Sequence, residues 1–137
     1  MKKILVLCTG NSCRSQMAHG YLEALSQGKE ILVKSAGVET HGLNPLAVKY
    51  MMEDGVDISH HTSNHVDEYQ DIGFDYVITV CDHANEVCPI FPSSATKIHK
   101  NFTDPSKVKG SEEEIASSFR KTRNAIKEFC IEFLKKV

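Results

Sequence analysis

Apolar residues follow two alternating rhythms along this chain. Ile4-Leu5-Val6-Leu7 form an unbroken aliphatic run that stops at Cys8-Thr9-Gly10, which predicts a short buried strand, Lys2 to Leu7, feeding a loop. Met17, Tyr21, Leu22 and Leu25 then recur at helical spacing, with Gly28 as a stop. Ile31 to Ala36 predicts a second strand, and Asn44-Pro45 supplies an N-cap and a first-turn proline for a helix ending near Gly55. Phe74 to Val80 predicts a third strand and Thr96 to His99 a fourth. Ser111 with Glu114 spells a capping box, after which Ile115, Phe119, Ile126, Phe129, Phe133 and Leu134 mark one apolar stripe of a long last helix. Strands alternating with helices predict an α/β fold, a four-stranded parallel sheet with helices on both faces. With 137 residues and no repeat, low-complexity tract or linker, positions 1–137 read as a single domain.

Composition narrows the chemistry. A content of 41% hydrophobic and 25% charged residues is that of a folded globular chain. Sixteen basic against eighteen acidic residues give a formal charge of -2, so no global field recruits nucleic acid or an anionic membrane, and any anion site must be local. The first apolar run stops after five residues (Ile4 to Cys8), short of the roughly 7–15 a secretory signal needs, and Leu7 is not the small residue a cleavage site requires. Nothing approaches the roughly 20 apolar residues of a membrane span, so a cytoplasmic location is expected. In that reducing compartment five cysteines point to redox or metal chemistry rather than structural disulfides.

The chemistry concentrates at Cys8-Thr9-Gly10-Asn11-Ser12-Cys13-Arg14, a cysteine and an arginine six positions apart, placed between a predicted strand and a predicted helix. A short loop at a helix N-terminus turns several backbone N–H groups inward, and with the helix dipole it can hold a tetrahedral dianion. Gly10 permits close backbone approach. Arg14 offers a planar fork for two oxygens of that anion, and its charge together with the dipole lowers the pKa of Cys8, making a nucleophilic thiolate. Ser15 can donate its hydroxyl to the thiolate. Cys13, inside the loop, offers no separate role and reads as packing, as does Cys130 on the last apolar stripe.

Val6 to Ser15 resembles the phosphate loop of low-molecular-weight tyrosine phosphatases. The resemblance runs along almost the whole chain: Gln16-Met17-Ala18, Ser35-Ala36-Gly37-Val38-Glu39-Thr40-His41-Gly42, Asp57-Ile58-Ser59 with His61-Thr62-Ser63, Val80-Cys81-Asp82, Cys88-Pro89-Ile90 and Asp104-Pro105 are similar to the arsenate reductases built on that phosphatase fold. The phosphatases share the loop and the later Asp-Pro, so Cys81 and Cys88 separate the two groups. Arsenate and phosphate are alike in size and charge, but reducing arsenate needs two electrons, which two thiols supply by forming a disulfide.

The resemblance implies that Cys8, Arg14, Cys81, Cys88 and Asp104 are catalytic, and that Thr9, Gly10, Asn11, Ser12, Cys13, Arg14 and Ser15 bind substrate. Cys8 would attack arsenic while Asp104 protonates the departing oxygen; Cys81 would attack Cys8 and release arsenite; Cys88 would then capture Cys81. The resulting Cys81–Cys88 disulfide would be reduced by thioredoxin or a related thiol reductant. Asp82 to Val87 reads as a short helix that must partly unwind for this bond to form, since seven residues at about 1.5 Å rise separate the cysteines by roughly 10 Å.

Other readings stand beside this one. A low-molecular-weight protein tyrosine phosphatase would use Cys8, Arg14 and Asp104 alone, and a thiol-based oxyanion sensor would need a DNA-reading surface the chain does not display. Cys81, His83 and Cys88 are zinc-type ligands, but not at the usual knuckle spacing. His60, His61 and His65 read as surface histidines beside a turn, and no metal ligand set or cofactor is predicted. Some reductases of this type bind potassium beside the loop through two acidic residues; His19 and Asn64 stand in those places, so potassium dependence is not expected.

Overall fold

A computed structural model describes residues 1–82 and 91–137. Four parallel strands, β1 (Lys2–Cys8), β2 (Ile31–Gly37), β3 (Tyr76–Thr79) and β4 (Thr96–His99), form one sheet in the order β2-β1-β3-β4. Three α-helices accompany them: α1 (Arg14–Leu25), α2 (Pro45–Glu53) and α3 (Glu112–Leu134). Of the short helix expected over Asp82 to Val87, all but Asp82 lies outside the described residues.

Ile4, Leu5, Val6 and Leu7 are fully buried, because β1 has a neighbour on each edge and cover on each face. Ile4 and Val6 join Val33, Ile78, Met17, Leu22, Met51, Phe119 and Ile126 in the larger core beneath the three α-helices. Leu5 and Leu7 point the other way, into a smaller cluster with Ala36, Val66, Phe74, Val77 and Phe91. Among the described residues that second face carries the 3-10 helix Val66–Tyr69 and connecting segments.

The helix ends follow their predicted chemistry. The Asn44 carboxamide accepts from the N–H groups of Leu46 and Ala47, and Ser111 and Glu114 cap one another reciprocally. Gly28, at φ +81, turns the chain after α1 in the left-handed region that a side chain disfavours. Phe74 lies ahead of β3 rather than in it and packs edge to face on Phe91. No helix among the described residues is long and apolar enough to cross a membrane.

Candidate active site

β1 ends at Cys8, where the chain order reverses: β2 lies on one side of β1 and β3 on the other. In open parallel sheets such a switch point, at the carboxyl ends of the strands, leaves a crevice for ligands. The loop Thr9 to Cys13 fills it before α1 begins at Arg14.

The loop's carbonyls are all engaged by the scaffold. Thr9 O accepts from Glu39 N, Gly10 O from His41 N and Ser63 Oγ, Asn11 O from Gln16 Nε2, and Ser12 O from Asn44 N, each at 3.0 or 3.1 Å. Among the described residues the N–H groups of Gly10, Ser12 and Cys13 have no partner, and α1 carries no side-chain N-cap. Several donors and the positive end of a helix therefore remain for an oxyanion.

Asn11 holds this shape. It is fully buried and sits at φ +47, a left-handed conformation that asparagine tolerates better than most residues. Its Oδ1 accepts from Asn64 N at 2.8 Å and Gln16 Nε2 at 3.2 Å, and its Nδ2 donates to Ser15 Oγ at 2.8 Å. The Ser15 oxygen is thereby an acceptor, which leaves its own proton to give.

Two glycines lie where a side chain would not fit. A Cβ on Gly10 would meet the His41 ring, whereas a Cβ on Gly37 would press on Thr9 O at 2.5 Å and on Asn11 N and Cys8 O at 2.9 Å. Gly37, at the end of β2, therefore lets the loop's backbone pack directly against that strand.

Cys8, Thr9, Gly10, Ser12, Cys13, Arg14, His41, Asp104, Ser106 and Lys107 line one cavity of about 310 Å³. Cys8, Arg14 six positions on, and the distant Asp104 thus border one space. Arg14 is 3% exposed; Nη1 donates to Phe102 O at 3.1 Å, and Nη2 stands 3.5 Å from Asp104 Oδ2. Asp104 caps the 3-10 helix Pro105–Lys107, its Oδ1 accepting from Ser106 N at 3.0 Å and Ser106 Oγ at 2.6 Å. The Arg14 contact is long for a charge-assisted bond, so an arriving oxyanion can compete for the guanidinium.

The parallel register aligns Leu7 with Thr79, which sets Cys8 level with Val80 and Cys81 one residue further. Cys8, Val80 and Cys81 share the larger core. Cys81 is fully buried and disulfide-bonded, so in this form its sulfur is not a thiolate ligand for zinc. His83 and Cys88, the other members of that zinc reading, lie outside the described residues, as does the Cys88 step of the relay. Burial, aided by Asp104, raises the Cys13 thiol far above its ordinary range, and burial pushes Cys130 up to about 12. Both stay protonated, and Cys130 packs in the core with Sγ facing Ala18 O.

The histidines correct the expectation. His61 is no surface residue: its side chain is 4% exposed and its ring stacks on His19 at 4.2 Å between centroids. Burial, and next to it His19, pushes His61 down to about 4. His65 instead caps a 3-10 helix through Asp67 N. The pairing of His61 with His19 leaves no periodic trace, because a loop and a helix meet there.

Residues 3–137 match the model of the low molecular weight phosphotyrosine protein phosphatase family. The chain is 49% identical to an arsenate reductase of Halalkalibacterium halodurans over 91% of its own length and 89% of that protein. It superposes with a TM-score of 0.85 on the solved structure of an arsenate reductase in the phosphate binding state, at 31% identity, covering 100% of this chain and 99% of that one. The low molecular weight protein tyrosine phosphatase from T. tengcongensis is also similar, at TM-score 0.80 and 25% identity, with both chains covered completely.

Proposed function

The chain belongs to the low molecular weight phosphotyrosine protein phosphatase family, and from that premise we propose that it is an arsenate reductase, converting arsenate to arsenite in the cytoplasm with a thioredoxin-like protein as final reductant. The observation that carries the reading is Cys81, which follows the end of the adjacent strand one residue beyond the level of Cys8 and shares its core, beside a loop shaped for a tetrahedral anion. Phosphoester hydrolysis does not require a second sulfur there; in a phosphatase Cys81 and Cys88 would be incidental or redox-regulatory. The identity with named arsenate reductases supports the same choice.

In this mechanism the anion sits on the N–H groups of Thr9 to Ser15 and on the Arg14 fork. Cys8 thiolate attacks arsenic, and an arsenic oxygen leaves as water with a proton from Asp104. Cys81 thiolate then attacks Cys8 Sγ. The arsenic–sulfur electron pair passes to arsenic, so As(V) becomes As(III), arsenite departs, and a Cys8–Cys81 disulfide remains. Cys88 thiolate attacks Cys81, returning Cys8 to thiolate and leaving Cys81–Cys88 for the external dithiol to reduce. Two thiols lose the two electrons that arsenic gains.

Phosphoester hydrolysis is the second reading, favoured by the shared loop and by Asp104 in the same cavity. Arsenite release measured with a thioredoxin system, beside hydrolysis of an aryl phosphate, separates them. Steady arsenite production that stops in Cys81→Ser is the expected result. Aryl phosphate turnover without arsenite release would overturn the reductase.

A further inference from the structure

We propose that His19, Glu23 and His61 form a binding site for a divalent cation of the zinc class, set behind the anion loop and outside the catalytic cavity. α1 places His19 and Glu23 one turn apart on one face, and the segment after α2 brings His61 to them. His19 Nε2 stands 3.4 Å and His61 Nε2 3.2 Å from the same oxygen, Glu23 Oε1. A tetrahedral zinc with bonds of about 2.0–2.1 Å has ligand-to-ligand edges of about 3.3 Å, so both separations already have that span. One donor atom from each of the three residues lies within 4.8 Å of the others.

The hydrogen bonds around His61 fix which ring nitrogen is free. Gln16 Nε2 faces three acceptors, Thr62 O at 2.9 Å, Asn11 O at 3.0 Å and Asn11 Oδ1 at 3.2 Å, so this atom is the amide nitrogen. Gln16 Oε1 must then be the atom facing His61 Nδ1 at 3.0 Å, and Nδ1 is the donor. In the neutral ring Nε2 consequently presents a lone pair to the Glu23 carboxylate. Two acceptors face each other at hydrogen-bond distance, 3.2 Å apart. A cation between them satisfies both.

The surroundings match a metal centre. His19 Nδ1 is held by Ser35 Oγ at 2.8 Å and His61 Nδ1 by Gln16, so both rings are anchored on the far nitrogen and present Nε2 to the same Glu23 oxygen. Two imidazoles and a carboxylate suit zinc better than the all-oxygen preference of magnesium or calcium. Glu23 is 45% exposed, which gives the ion an entry path and a water in the fourth position. Occupancy would also lock the Nδ1–H tautomer that donates to Gln16, whose amide holds Asn11 and hence the anion loop.

The test uses the full chain carrying Cys8→Ser, Cys81→Ser and Cys88→Ser, so that reactive thiols do not compete. Zinc chloride is titrated against a chromophoric chelator, and histidine ring nitrogens are followed by NMR. One zinc per chain is expected, with the Nε2 resonances of His19 and His61 moving together. Glu23→Gln and His19→Ala should each weaken binding by more than the roughly 10–100-fold typical of losing an outer partner. Should either variant fail to fold, the ring-nitrogen shifts in the parent decide alone. Absence of binding, affinity equal in parent and variants, or unmoved Nε2 resonances would each overturn the site.

Discussion

The anion loop and the Asp104 turn border the same cavity but are held in different ways. The loop's carbonyls and Asn11 are tied to segments distant in the chain, around residues 37–44 and 62–64. Asp104 is held mainly by Ser106, two residues on, and by one long contact to Arg14. A binding cradle must keep many donors converged, so it draws on the whole fold. The role proposed for Asp104, proton donation, requires an exchange of partners during turnover, and a local, partly exposed turn allows that. Damage to the first region should therefore appear in stability and binding, and damage to the second in rate.

The largest expected effects lie at the three cysteines of the proposed relay. Cys8→Ser should abolish both arsenate reduction and phosphoester hydrolysis, whereas Cys81→Ser or Cys88→Ser should abolish only steady-state arsenate reduction. Coupled turnover assays on all three check this, and continued arsenate turnover with thioredoxin in both of the latter variants would break the relay. Across the cavity, Asp104→Asn should slow turnover by about 10²–10⁴-fold, the usual worth of a general acid, while leaving the denaturation midpoint nearly unchanged. Steady-state kinetics and urea titration of one preparation measure both halves; a large stability loss would mean that the turn is structural.

Two glycines sharpen the contrast on the cradle side. Gly37→Ala pushes a methyl group into the backbone of Cys8, Thr9 and Asn11, which cannot swing aside, and should cost about 1–3 kcal/mol in urea unfolding. Gly10→Ala meets only the ring of His41, half-exposed and able to turn away, and should cost less than about 1 kcal/mol. Equal losses would show that the loop, not β2, sets the spacing.

The smallest effect belongs to a surface carboxylate remote from both regions. Hydrogen bonds from Arg120 and then Arg123 hold Glu53 down to about 2, below its ordinary 4.5. A depressed carboxylate stabilises the fold above its unfolded value and loses that contribution as pH falls through the folded one. Glu53→Gln should thus lower the melting temperature slightly at pH 7, with the difference closing between pH 4.5 and about 2. Melting curves across that range test it, and a gap that widens on acidification would contradict the pairing.

Local chemistry was legible in the order of residues. The aliphatic run of β1, the break at Thr9-Gly10, the Asn44-Pro45 start of α2 and the Ser111–Glu114 box each depend on neighbours within a few positions, so the sequence determined them. Cys8 and Arg14 were readable for the same reason, because strand, loop and helix are contiguous. Tertiary structure alone decided what requires two distant segments to meet. The register of β3 on β1 lifts Cys81 to the level just past Cys8, and Gly37 makes room for the loop's backbone against β2. Asn11 takes a left-handed turn because Gln16, Ser15 and Asn64 satisfy its buried amide. His61, which reads as one of three histidines beside a turn, is buried against α1 with Gln16, His19 and Glu23. Periodicity records which face of an element is apolar, but which polar groups meet across elements is set by packing, and packing follows from the whole chain at once.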